Sequence, residues 1–257
     1  MRRREFLTAV SVAGIAGLGA ASPAAAAEKD ERQYFELRRY RTHVGPKKNL
    51  LGDFLRDVGI PAMNRVGIEP VGVFNAKYGP SDPTLYVLLV HKSLESVATA
   101  SARLLADDQF AKSDFVNAPL SDPGYVRVES SLMAAFKDMP KLEAPPKKPR
   151  IFELRIYESH SIKAAKKKVE MFNEGGEIAI FKKTGLTPVF FGETIVGPMM
   201  PNLNYMLAFD DMTDRDKRWG VFGGSPEWKK LSSDPQYKDT VSNITDIILQ
   251  PTGYSQI

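Results

Sequence analysis

The chain has 257 residues, with 35 Lys and Arg against 31 Asp and Glu, a formal charge of +4 and no cysteine. The absence of cysteine excludes disulfides, thiolate nucleophiles, iron–sulfur clusters and Cys-ligated zinc. A nearly balanced charge, whose densest basic run (Lys163 to Lys168) reads as one solvated helix face, argues against a nucleic-acid partner.

Residues 1–27 open with Arg3-Arg4-Glu5-Phe6-Leu7, continue through an apolar Gly/Ala-rich stretch from Ala9 to Ala21 and end in Ala24 to Ala27. The pattern resembles a bacterial twin-arginine export signal with a small-residue cleavage site, so the mature chain is expected in the periplasm or secreted. The competing reading is a membrane anchor, but the apolar stretch falls short of the roughly 20 residues a span requires. No later segment is long and apolar enough to cross a bilayer. Loss of Arg2, Arg3, Arg4 and Glu5 lowers the formal charge from +4 to +2.

From Gln33 to Arg41, aromatic and branched residues alternate with polar ones, which predicts a strand. Gly45-Pro46 opens a helix with Leu50, Leu51, Phe54, Leu55 and Val58 on one side, and Pro61 is expected to break or bend it. Gly67 leads into a strand holding Val71, Val73 and Phe74. The loop signal from Gly79 to Pro83 then joins it to an antiparallel neighbour, Leu85 to Val90. A helix from Leu94 to about Lys112 and a strand from about Tyr125 to Phe136 complete a first domain, residues 33–137. Pro140, Pro145, Pro146 and Pro149 mark residues 138–149 as a stiff linker. In the second domain, residues 150–257, the same order returns. A strand from Arg150 to Glu158 precedes a helix from about Ile162 to Lys183 with a weak point at Gly175-Gly176. Strands Thr187–Val196 and Asn204–Phe209 follow, then helices from Thr213 that break at Gly223-Gly224-Ser225-Pro226, and a last strand near Asn243–Leu249.

The order βαββαβ therefore occurs twice, and the residues repeat with it. Phe35-Glu36-Leu37-Arg38 returns as Phe152-Glu153-Leu154-Arg155, 117 positions on, each followed by a tyrosine (Tyr40, Tyr157) and a histidine (His43, His160). Val66-Gly67-Ile68-Glu69-Pro70 matches Thr184-Gly185-Leu186-Thr187-Pro188 at 118, and Tyr86-Val87-Leu88 matches Tyr205-Met206-Leu207 at 119. So steady an offset is a duplication. The fold class is α+β, two tandem ferredoxin-like units whose open sheet faces are expected to pack against each other.

Strand parity places Phe35, Leu37, Phe152, Leu154 and Ile156 on one face, expected under the helices. Glu36, Arg38 and Tyr40, with Glu153, Arg155 and Tyr157, fall on the other and are expected to point between the sheets. Charges in such a space need partners, so Glu36 with Arg38 and Glu153 with Arg155 should pair.

The strand Phe-Glu-Leu-Arg-x-Tyr, the Gly67-Ile68-x-x-Val71-Gly72 turn, the tyrosine opening the third strand and the segment Trp219-x-x-Phe222-x-x-Ser225-Pro226-Glu227-Trp228 together resemble the NIPSNAP family. The resemblance implies a dimeric α/β barrel, here with both halves in one chain, and names no reaction. The first half departs from the pattern with Ser101 and Phe110 at the tryptophan places, and the second has Ser161-Ile162 where a proline-rich turn is usual.

Two roles stay open for Glu36, Arg38, Glu153 and Arg155: a network of ion pairs that closes the barrel, or the lining of a ligand cavity in which arginines bind an anionic or enolic oxygen and glutamates hold a proton. His43 and His160 lack metal-ligand spacing and read first as loop or capping histidines. The function expected is binding of a small organic molecule in the barrel interior, with no cofactor and no metal called for. A cofactor-independent monooxygenase or isomerase is the alternative, with His43 or His160 as base and Arg38 or Arg155 as oxyanion support. A third class is a packed, non-catalytic interaction module. Assembly into a homo-oligomer is compatible with each.

Overall fold

Alternating apolar and polar residues make strand β1 (Tyr34–Arg41) and its repeat β5 (Ile151–Glu158), and each becomes the central support of one half of the molecule. The computed structural model describes residues 31–79, 83–148 and 150–257, so the export-signal reading lies outside the described residues. Strands β2 (Val71–Tyr78), β3 (Thr84–His91) and β4 (Arg127–Ala135) complete the first sheet in the order β4-β1-β3-β2. Strands β6 (Thr187–Val196), β7 (Asn202–Phe209) and β8 (Asn243–Pro251) give the same order in the second, β8-β5-β7-β6. All neighbours are antiparallel. Pairing of β2 with β8 and of β4 with β6 closes the two sheets into one eight-stranded barrel. The two repeats thus share a single continuous sheet and leave no edge unpaired.

The first half carries α1 (Leu50–Phe54), a π-helical turn over Leu55–Gly59, and α2 (Ile60–Arg65), followed by α3 (Leu94–Leu105) and α4 (Asp108–Ala111). Of the break or bend expected at Pro61, the break does not occur. Pro61 sits in the first turn of α2, where its missing N–H costs little, and the wider π turn before it absorbs the mismatch. The second half carries α5 (Ile162–Phe172), α6 (Glu177–Lys183), α7 (Met212–Gly224) and α8 (Pro226–Ser232). Its long helix is divided at Gly176, which adopts φ +82°, a left-handed conformation that favours glycine. Ser225 caps α8 by accepting from the Trp228 N–H, as the Ser-Pro start suggests. Among the described residues no helix is long and apolar enough to cross a membrane.

Three apolar clusters stabilise the structure. One fills the barrel interior with residues from both halves, where Phe35 meets Phe190 and Phe74 meets Phe152 at ring-centroid distances of 5.0 and 5.1 Å. The other two lie between each sheet and its own helices. This corrects the side assigned to β1 and β5. Phe35, Leu37, Phe152 and Leu154 point into the barrel, and Glu36, Arg38, Glu153 and Arg155 lie beneath the helices. Parity holds while the two sides are exchanged, because burying a charged face beside helix donors is as feasible as burying it between sheets.

Register corrects one repeat match as well. Leu88 opposes Leu37 and Met206 opposes Leu154, so Tyr86 is the counterpart of Asn204 and faces inward, while Tyr205 faces the helices.

Candidate functional site at the barrel mouth

β1 and β5 run parallel across the barrel and end at the same rim, so residues just past Leu37 and Leu154 enclose the opening. Residues directly opposite one another in antiparallel strands share a face, and register therefore sorts the lining into levels. Leu37, Ser131, Leu154 and Ile247 form the floor, and Arg39, Tyr86, Glu129, Ile156, Asn204 and Thr245 form the next level. Pro198 and Met199, from the β6–β7 loop, reach over the opening. These residues enclose a cavity of about 140 Å³.

The two walls differ chemically. On the second-half wall, buried Asn202, Asn204 and Thr194 form a closed network. Thr194 Oγ1 donates to Asn202 Oδ1 at 2.6 Å, and Asn204 Nδ2 donates to Thr194 Oγ1 at 3.0 Å and to Asn202 Oδ1 at 2.9 Å. Asn202 Nδ2 gives its hydrogens to the carbonyls of Pro198 and Met199, at 2.9 and 2.8 Å, which ties the covering loop to the wall. With both its amide hydrogens engaged, Asn204 has its carbonyl oxygen left to offer, an acceptor. On the first-half wall Arg39 pairs with Glu129, Nη2 to Oε2, at 2.8 Å.

The residues nominated from sequence assemble elsewhere, in two clusters under the helices. Glu36 accepts from Arg38 Nε at 2.7 Å, Arg38 Nη2 at 2.9 Å and Ser130 Oγ at 2.8 Å, and His91 Nε2 lies 3.5 Å away. Burial alone would raise the Glu36 carboxyl, but the contacts with His91, Arg38 and Ser130 outweigh it and hold the pKa at about 2. Arg38 also reaches Tyr40 Oη, at 3.5 Å. His91, which was not nominated from sequence, is therefore the histidine at this cluster. The signal that finds it is register, since it follows Leu89, the residue opposite Glu36, by one inward-outward period.

Glu153 is fully buried and accepts from Arg155 Nη1 at 3.2 Å, Arg215 Nε and Nη2 at 3.0 and 2.7 Å, and Trp219 Nε1 at 2.6 Å. Asp246 shares Arg215 with it, at 3.2 Å. Burial and the neighbouring Glu153 push the Asp246 carboxyl up to about 6, against the pull of Arg155 and Arg215. Tyr157 Oη meets Tyr205 Oη at 2.9 Å, and burial raises both phenols. Beside them Lys168 and Glu177 form a buried ion pair at 2.7 Å.

The histidines nominated from sequence join neither cluster. His43 Nε2 bonds the Pro123 carbonyl at 2.9 Å, and His160 is exposed. Neither meets Arg38 or Arg155, so the base and oxyanion support named for the enzyme alternative are not brought together. The mouth residues Arg39, Tyr86, Asn202 and Asn204 were not nominated. The signal for Arg39 was the other parity of β1, and that for Tyr86, Asn204 and Asn202 was the register that sets them opposite Arg39, Ile156 and Glu158.

In fold the chain is similar to a protein from Fusobacterium nucleatum subsp. nucleatum named "putative monooxygenase", with TM-score 0.56 and 11% identity over 86% of this chain and 92% of that one. A second protein of that name, from Lactobacillus acidophilus, gives 0.54 and 11% over 86% and 94%. A NIPSNAP family protein from Agrobacterium tumefaciens is 25% identical over 42% of this chain and 98% of its own, with TM-score 0.37. No curated protein matches. The NIPSNAP family pattern matches twice, over residues 35–140 and 152–256. With two copies of that pattern spanning most of its length, the chain belongs to the NIPSNAP family.

Proposed function

We propose that this NIPSNAP protein is an exported binding protein that holds one small organic molecule at the mouth of its barrel. The observation that carries the reading is the cavity of about 140 Å³, built by both halves from a mostly apolar floor and a mostly polar level above it. An eight-stranded barrel is wide enough for one small ligand, and an apolar cavity of about 150 Å³ accepts a benzene ring. Export rests on the pattern of residues 1–27. Of the eight residues nominated from sequence, Glu36, Arg38 and Tyr40 tie neighbouring strands together and Glu153 with Arg155 ties the sheet to α7, a supporting part.

The enzyme reading is the second, supported by the names of two fold neighbours. It would have to run on mouth groups, where Glu129 is the carboxylate and no histidine stands in the lining.

The test is ligand-observed NMR with toluene and benzyl alcohol on the chain from residue 28 onward, beside Ile156→Trp, which fills the cavity. Both probes should bind the parent and be lost from the variant while its circular dichroism is unchanged. Equal binding to both proteins would place the ligand elsewhere and end the reading. Recovery of an oxygenated probe would favour the enzyme.

A further inference from the structure

The first-half wall continues outward from the cavity into a cleft of about 280 Å³ lined by Arg39, Arg41, Thr84, Arg127 and Glu129. Register explains the cluster. Arg39 lies directly opposite Glu129, and Arg41 directly opposite Arg127, all on the inward-facing parity of β1 and β4. Arg39 and Glu129 line both the cleft and the cavity, so the two spaces adjoin at this pair. Across the mouth, at the level of Arg41, stands Glu158, which accepts from Asn243 Nδ2 at 2.8 Å. The arginine-rich wall therefore faces a wall that is apolar and amide at the level of Arg39 and carries one carboxylate, Glu158, at its outer rim.

On the binding reading above, we infer that the ligand is a single-ring organic carboxylate, with its ring in the cavity and its carboxylate on Arg39. The Arg39–Glu129 contact supports this assignment. It is a half-exposed ion pair, of the kind that contributes little to stability and is readily exchanged. A guanidinium fork binds a carboxylate by donating two parallel hydrogen bonds, and the contact with Glu129 is an ion pair whose closest approach is Nη2 to Oε2. Glu129 thus occupies the place of the ligand's carboxylate and leaves when the ligand enters. Arg127 adds positive potential at the same rim. Two opposite effects follow. Removing the arginine removes the carboxylate's advantage, and removing the internal competitor increases it.

The experiment is calorimetric titration with benzoate, benzyl alcohol and phenyl phosphate against the parent, Arg39→Gln, Arg39→Lys, Glu129→Gln and the cavity-filling Ile156→Trp. Benzoate should bind the parent about tenfold more tightly than benzyl alcohol, the lower end of what a hydrogen bond to a charged group contributes. Arg39→Gln should abolish that difference, Arg39→Lys should keep part of it, and Glu129→Gln should tighten benzoate several-fold without moving benzyl alcohol. Benzyl alcohol serves as the folding control for every variant. Equal affinity for benzoate and benzyl alcohol, with both lost in Ile156→Trp, would overturn the carboxylate while leaving the binding site in place. Tighter binding of phenyl phosphate than of benzoate would also overturn it, in favour of a phosphate. Binding of all three that survives Ile156→Trp would overturn this inference and the binding reading together.

Discussion

Replacing Glu153 with alanine would leave the guanidiniums of Arg155 and Arg215 and the Trp219 N–H without their shared acceptor in a fully buried place. Breaking such a pair costs about 3–5 kcal/mol, so Glu153→Ala should lower the urea midpoint steeply while Arg39→Gln, at the half-exposed mouth, barely moves it. The two outer carboxylates predict pH dependence of opposite sign. Glu36 falls from an ordinary 4.5 to about 2 in the fold, so its contribution is complete above pH 4.5 and is lost as pH drops through 2. Asp246 rises from 3.8 to about 6, so its contribution is complete below 3.8 and disappears as pH climbs through 6. Discounted for its one-third side-chain exposure, this second effect is on the order of 1 kcal/mol. Asp246→Asn should therefore flatten the decline in stability between pH 4 and 6. An unchanged decline in that variant would assign it to another group. At this scale the sequence showed that glutamate and arginine belong together on one face. It could not show which side that face meets, because β1 and β5 are covered on both sides and alternation reports parity alone.

Helix punctuation was legible where a single residue type has a single use. Ser225-Pro226 starts α8 and Gly176 separates α5 from α6, both as read. The break allowed for at Pro61 does not occur, because its effect depends on the turn before it, and a π turn leaves no mark in a hydrophobic pattern. Glycines in the second half allow the distinction between requirement and tolerance to be measured. A Cβ on Gly175 would fall 2.6 Å from the Met171 carbonyl oxygen, so Gly175→Ala has to shift the end of α5 and should cost more than about 1 kcal/mol. A Cβ on Gly220, within α7, meets nothing within 4 Å, and Gly220→Ala should add about 0.5–1 kcal/mol through helix propensity. Thermal midpoints of the two variants should therefore move in opposite directions. A rise in both would mean that the α5–α6 joint relaxes without resistance.

Duplication was readable from the chain, and so was the ferredoxin-like order of each half, because both rest on residues that recur at nearly constant offset. Closure into one barrel came from the family resemblance rather than from periodicity, since the pairs that make it, β2 with β8 and β4 with β6, join segments far apart in sequence and follow no local pattern. Closure has a thermodynamic consequence. The interior cluster takes Phe35, Phe74 and Met133 from one half and Phe152, Phe190 and Ile247 from the other, so neither half buries its inward face alone. Each half would expose a sheet face rich in Phe and Leu, together with the two strand edges that the other half now covers. The intact chain should therefore unfold in one transition reported alike by tryptophan fluorescence, which reads Trp219 and Trp228 of the second half, and by far-ultraviolet circular dichroism, which reads both. Residues 31–148 and 150–257 made as separate chains should each self-associate or aggregate, and mixing them should restore a 1:1 complex with the benzyl alcohol site, since that site takes walls from both. Two resolved transitions in the intact chain, or a stable monomeric half, would mean that the seams contribute little and that each sheet is stabilised chiefly by its own helices.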